Sequence, residues 1–193
     1  MPRQGFRTRG LILALALALA LAFALAGAPA APATGPAPAP AADSGAIVLL
    51  DLNYTFVANQ AESARLGGED FGRRLAHERY REWLRDFLRG RRVILITARP
   101  ERHREATLAR IDSLLGWRPA EAYFNEHDLP PALCKQEVLQ RAIFPRHGRP
   151  ADGARYVAIE SNPRTAVMYA GYGIPALRVW DDWQYGDSTK VVR

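Results

Sequence analysis

The sequence predicts a doubly wound α/β domain, a parallel sheet of the Rossmann-like kind with helices over both faces and no large cap. Two observations carry that expectation. Residues 47–50, 93–96, 122–124, 156–159 and 176–180 are short apolar runs, and their continuity, without alternation, marks strands buried on both sides. Between the runs lie segments with apolar residues at helical spacing, and strand–helix alternation implies parallel crossovers. A third observation bears on use. Three of the runs end in polar turns, at Asp51, at Thr97-Ala98-Arg99-Pro100 and at Glu160-Ser161-Asn162-Pro163. Parallel sheets bind ligands beyond the carboxyl ends of their strands.

The first forty-odd residues are a different kind of sequence. Arg3, Arg7 and Arg9 precede an unbroken apolar run over 11–26, and small residues follow through Ala31. A basic start, an apolar stretch and a small-x-small site read as a signal peptide over 1–30, giving a secreted or periplasmic protein. An uncleaved N-terminal anchor is the alternative, and a true start near residue 43 a further one. Residues 31–43 are an Ala/Pro-rich linker, which cannot bury enough apolar surface to order itself. The folded domain is then 44–193. Three of the 26 Lys and Arg lie in the leader, leaving 23 against 20 acids, too small an excess to argue nucleic-acid binding from charge. A single cysteine, Cys134, excludes an internal disulfide.

Along the domain, residues 54–70 show no clean period and read as a loop or small flap. Phe71, Leu75, Tyr80, Trp83, Leu84, Phe87 and Leu88 recur at helical spacing, which predicts one helix over 71–88 capped near Gly90. Its Arg-rich face reads as solvated, laced with Glu78 and Glu82. Leu108, Ile111, Leu114 and Leu115 form the apolar side of the next helix. Residues 125–133 are a Pro-containing loop. Cys134-Lys135 is expected to open a helix with Val138, Leu139, Ala142 and Ile143 inward, followed by a loop over 145–154. Pro163 suits the first turn of the last helix, which stops near Gly171–Gly173.

Taken together, Asp51, Thr97, Lys135 and Glu160 suit phosphoryl transfer. A carboxylate can attack phosphorus and hold the group as an acyl-phosphate. A hydroxyl (Thr97) and a fixed cation (Lys135) can meet the charge on the equatorial oxygens. A second acid at a strand end would hold Mg2+, a hard cation that prefers oxygen ligands.

At these residues the chain resembles the haloacid dehalogenase-like superfamily: Leu50-Asp51-Leu52-Asn53-Tyr54-Thr55, Ile94 through Pro100, Lys135 on a helix, and Ile159 through Arg164. The finer pattern from Thr97 through Leu108, with the tail over 180–187, is similar to the phosphatase domains of polynucleotide-kinase-type enzymes. The resemblance implies a phosphoric monoester hydrolase working through an aspartyl-phosphate. Asp51 would be the nucleophile, with Thr97, Ala98, Arg99, Lys135 and Arg164 around the substrate. Asp51, the Asn53 main chain, Glu160 and Ser161 would hold Mg2+. Two departures accompany it. Asn53 stands where such phosphatases carry a second Asp, and an amide cannot relay a proton, help typically worth ~10²–10⁴ in rate. Ser161 follows Glu160 where a second acid is common, so one anionic ligand is missing. Slow catalysis is one reading; a catalytically impaired module that binds a phosphorylated ligand or a protein partner is the other. Only about twenty residues separate Asp51 from the helix expected at Phe71, which implies a capless, open cleft. It would take a phosphorylated small molecule or a nucleotide or nucleic-acid end.

Other constellations carry less. His127, Cys134 and His147 lack zinc-ligand spacing. Trp180, Trp183 and Tyr185 could stack on bases or pack at a sheet edge. Arg99 and Arg164, just past strand ends, are candidate phosphate contacts or surface ion pairs.

Overall fold

A five-stranded, all-parallel sheet organises the chain, in the order β3-β2-β1-β4-β5. The strands are β1 (Ile47–Leu50), β2 (Val93–Pro100), β3 (Glu121–Asn125), β4 (Tyr156–Glu160) and β5 (Ala176–Arg178). The helices are α1 (Gln60–Gly67), α2 (Phe71–His77), α3 (Glu82–Leu88), α4 (Arg104–Leu115), α5 (Pro131–Val138), α6 (Phe144–His147) and α7 (Pro163–Gly171). This computed structural model describes residues 45–180. The leader, the linker and the tail bearing Trp183 and Tyr185 lie outside the described residues.

Why the strands are continuous apolar runs is visible in β1. Val48 and Leu50 enter one core with Val93, Leu95, Leu84, Leu88 and Ile111. Ile47 and Leu49 enter the other with Ile94, Ile96, Leu139, Ile143 and Tyr169. Successive strand side chains point to opposite faces, so a sheet covered twice leaves no polar position in its centre. Leu50 lies beside Leu95 on one side and Ile159 on the other. The strand order reverses direction at β1/β4, and that switch point is where an open parallel sheet leaves a crevice.

Several elements differ from the sequence expectation. The stretch over 54–70 carries α1, whose polar composition hides any apolar period. Gly67, its last residue, leaves no room for a side chain: an added Cβ would lie 2.3 Å from the backbone nitrogen of Arg74. The helix expected over 71–88 is two helices. The break at Glu78–Arg81 forms because Val57 and Tyr80 make an antiparallel bridge, with Ala58 N–H bonded to Arg79 O (2.7 Å) and Arg81 N–H to Phe56 O (2.9 Å). Leu75, Tyr80, Leu84 and Leu88 are buried as expected, whereas Trp83 and Phe87 face solvent, as does Leu114. Glu78 is no surface residue; it is 3% exposed. β2 continues to Pro100, with a register irregularity between Ile96 and Pro100, so Thr97, Ala98 and Arg99 lie within a strand end. α5 starts at Pro131, whose fixed φ suits a first turn, and Lys135 therefore sits more than one turn inside the helix. The loop expected over 145–154 holds most of α6 and a short 3-10 turn, Pro150–Asp152. β5 ends at Arg178, and Trp180 is exposed beneath the Arg178 guanidinium, 4.5 Å from its ring centre. Among the described residues no helix is long and apolar enough to cross a membrane.

The phase of α3 is directly testable. Leu84→Ala should cost about 2–5 kcal/mol, as buried Leu truncations do, while Trp83→Ala should stay within about 0.5 kcal/mol. Chemical denaturation of the two variants checks this, and equal losses would mean the helix is rotated.

Candidate functional site

Asp51 leaves β1 in an extended conformation (φ −79°, ψ 152°), its N–H bonded to Ile159 O at 3.0 Å. The chain then closes one wide turn, Leu52–Phe56, in which Val57 N–H reaches back to Leu52 O at 2.9 Å. Inside the turn Asn53 stays extended and Tyr54 adopts a left-handed conformation, φ 62°. For a residue with a Cβ that costs on the order of 1–3 kcal/mol. Leu52, Thr55 and Phe56 are buried by this turn, while Asn53 and Tyr54 line a cleft with Asp51. Thr55 donates its hydroxyl to Asp51 Oδ2 at 2.6 Å and fixes the carboxylate plane.

Lys135 enters from α5. Its ammonium donates to Asp51 Oδ1 at 2.5 Å and to Glu160 Oε2. The three residues are nearly sealed, with Lys135 and Glu160 each 1% exposed and Asp51 7%. Glu160 Oε1 accepts from the N–H groups of Ser161 (3.1 Å) and Asn162 (2.8 Å). Burial opposes a charged ammonium, yet the carboxylates of Asp51 and Glu160 outweigh it and hold Lys135 above the ordinary lysine pKa. Burial first, and then the Asp51 carboxylate, raise Glu160 to about 7 against the opposing pull of Lys135. The Ser161 hydroxyl donates to Asn53 O at 3.4 Å. Asp51, the Asn53 carbonyl, Glu160 and Ser161 thus present only oxygen donors on one cleft of about 110 Å³, which Ala98, Pro131, Lys135 and Asn162 also line.

A second buried network adjoins the first. Arg99 is held by Glu78 through Nη2 to Oε1 (2.6 Å), and its Nη1 donates to Thr107 Oγ1 (3.0 Å). Arg99 Nη2 also donates to Asn53 Oδ1 at 2.9 Å, and Tyr80 donates to Glu78 Oε2 at 3.0 Å. A guanidinium only donates, so the Asn53 amide must turn its oxygen to Arg99 and leave its NH₂ as the free end.

Not every residue singled out in the sequence reaches the cleft. Asp51, Asn53, Ala98, Lys135, Glu160 and Ser161 line it together. Thr97 is fully buried and off that wall, its hydroxyl accepting from Arg99 N–H at 3.1 Å. Arg99 is engaged by Glu78 and is no free phosphate contact there. Arg164 is exposed on the first turn of α7, its N–H bonded to Asn162 Oδ1, and does not line the cleft. His127 pairs with Glu137 and His147 with Glu121. Among the described residues no cluster of three or more His, Cys, Asp or Glu side chains is arranged for a metal. Burial pushes the Cys134 thiol up to about 11, which leaves it protonated and poorly nucleophilic. Three contributors have roles that the sequence reading does not assign: Thr55 on the carboxylate, Glu78 paired with Arg99, and the left-handed Tyr54. Thr55 had only its spacing of four from Asp51 to mark it.

No protein-family model and no curated protein matches this chain. Among solved structures, a chain from "Structure of the Pnkp1/Rnl/Hen1 RNA repair complex" is similar at 16% identity with a TM-score of 0.49, over 71% of this chain and 43% of that one. This chain therefore spans less than half of that one's length. A likeness of that degree carries no weight for chemistry, which rests on the residues above.

Lys135→Met leaves two buried carboxylates facing each other, and removing one partner of a buried pair costs about 3–5 kcal/mol. Without the ammonium, burial and the facing Asp51 carboxylate raise Glu160 with no cation to oppose them, so the folded state holds a proton more tightly than the unfolded one. Stability is then kept at low pH and lost as pH rises above the unfolded carboxylate range. The expected loss is smaller at pH 5 than at pH 8, read by denaturant titration at both. A loss independent of pH would contradict the electrostatic account.

Proposed function

We propose that this chain is a phosphoric monoester hydrolase of the haloacid dehalogenase-like type, acting through a phosphoryl group carried on Asp51. The observation that carries the reading is the convergence of Asp51, Lys135 and Glu160 at the sheet's switch point. A carboxylate pinned by a buried ammonium, at an open strand end, has what an in-line attack on phosphorus requires.

In the first step an Asp51 carboxylate oxygen bonds to phosphorus and the ester P–O bond breaks. Lys135 meets the negative charge on the phosphoryl oxygens; Thr97, buried off that wall, is not placed to donate to them. Asn53 can hold an oxygen through its amide NH₂ but supplies no proton, so the departing alkoxide takes one from water. In the second step a water oxygen attacks phosphorus, the Asp51–P bond breaks, and the water's proton passes to solvent. Phosphate leaves and the carboxylate is restored.

The oxygens of Asp51, Glu160, the Asn53 carbonyl and the Ser161 hydroxyl suit a hard cation and would be its ligands, with the Lys135 ammonium in the same cleft. Mg2+ bound there would supply neutralisation of charge on the transferring group. With two carboxylates instead of three, weak affinity is expected. Export to a secreted or periplasmic location rests on residues 1–30 of the sequence alone.

A second reading has its own observation. Asn53 Oδ1 is occupied by Arg99, which suits a module that binds a phosphorylated ligand or protein partner without turning it over. The full chain with Mg2+ and p-nitrophenyl phosphate separates them. Slow hydrolysis lost in Asp51→Asn, and raised about 10²–10⁴-fold by Asn53→Asp, is expected for the enzyme. Hydrolysis that survives Asp51→Asn refutes it. An inert parent that gains activity only in the Asn53→Asp, Ser161→Asp double variant favours the binding module.

A further inference from the structure

Beside the Asp51 pocket lies a larger cleft of about 250 Å³, and Asn53 and Ala98 belong to the walls of both. We propose that it is a second anion subsite: it seats a phosphate carried on the leaving alcohol, so the preferred ligand is a bisphosphorylated compound. The identity of the first phosphate's pocket rests on the reading above; the second subsite is argued from its own residues.

Its wall holds Arg74, Arg99 and Arg102 against a single carboxylate, Glu78. Arg99 already neutralises that acid. Arg74 and Arg102 have no carboxylate within ion-pair distance among the described residues. Most arginines nearby do: Arg73 pairs with Asp70, Arg79 with Glu62, Arg85 with Asp86 and Arg104 with Glu101. The cleft is therefore the place where unpaired positive charge gathers next to the reactive carboxylate, and it will draw an anion.

Hydrogen bonding points the same way. Arg74 Nε is buried without a hydrogen-bond partner. A buried donor left unsatisfied costs about 1–3 kcal/mol, and a phosphate oxygen would satisfy it. Phe71 is the platform that keeps these cations together. The Arg74 and Arg99 guanidinium carbons lie 5.9 and 5.3 Å from its ring centre, and His103 stacks on it at 3.6 Å with 17° between the planes. An aromatic face draws cations towards it and offsets part of their mutual repulsion. Burial and then Arg102, Arg99 and Arg74 hold His103 below its ordinary pKa, as a concentrated positive field would.

A guanidinium grips phosphate through paired N–H bonds. The two subsites share a wall, so one short molecule with a phosphate at each end can occupy both. A monoester uses only the Asp51 side.

Calorimetric titration of the full chain with butanediol bisphosphate and with butyl phosphate tests this without requiring turnover. Wild type is expected to bind the bisphosphate about tenfold tighter than the monoester. In Arg74→Ala, Arg102→Ala that preference should fall below about twofold, and the Lys,Lys double variant, which keeps the charge, should retain most of it. A wild-type preference under about fivefold, no measurable binding of the bisphosphate, or a preference that survives the Ala,Ala variant overturns the proposal. Hydrolysis dependent on Asp51 with no such preference would leave the phosphatase reading standing and remove the subsite. The preference without hydrolysis would do the reverse.

Discussion

The ammonium of Lys135, enclosed between Asp51 and Glu160, is the contact on which the rest of the molecule depends. It joins the ends of β1 and β4, which are neighbours in the sheet, to α5, which follows the distant edge strand β3. Without it two carboxylates would face each other in a place with almost no water. Buried ion pairs seldom stabilise a fold more than apolar packing of the same volume would. An arrangement like this one, at the switch point of a parallel sheet, is better accounted for by chemistry than by stability. The strained turn through Tyr54 lines the cleft in which the cluster lies.

The second network, Arg99 with Glu78, Tyr80 and Thr107, does for the helical layer what Lys135 does for the sheet. It pins the segment between α2 and α3 against the end of β2. The two networks meet at Asn53, whose backbone oxygen faces Ser161 while its side-chain oxygen faces Arg99. That residue consequently has one role on each side: oxygen donor towards the carboxylate pocket, partner of a cation towards the larger cleft. An amide makes both of those contacts, and on the proposed mechanism it would do so without serving as a proton relay.

Much of the architecture was legible because two-sided burial writes itself into composition. Val48 and Leu50 could not be polar any more than Ile47 and Leu49 could, so each strand read as a run, and the acids that ended the runs stood out. The division of 71–88 was hidden for the opposite reason. Leu75, Tyr80, Leu84 and Leu88 keep a helical period straight across the break, and what breaks the helix is a bridge to Val57, a contact with no local trace. The same applies to Glu78, which sits among arginines and looks solvated until Arg99, 21 residues on, reaches it. Lys135 stands out by residue type, but its depth within α5 has no local trace because the helix start is set by Pro131. Arg164 stands just past a strand end, yet on the first turn of α7 it is exposed and off the wall.

On the proposed mechanism, an amide at position 53 would slow hydrolysis of an acyl-phosphate as well as its formation, because no side chain is there to take the proton from water. With an ester whose leaving group needs no protonation, the covalent species should therefore accumulate. The most direct test is acid quenching of the full chain during reaction with a labelled aryl phosphate and Mg2+, followed by peptide mapping. The expected result is a hydroxylamine-sensitive label on the peptide that contains Asp51, absent in Asp51→Asn. Turnover with no label on the protein, or a label that remains after Asp51→Asn, would contradict the central claim.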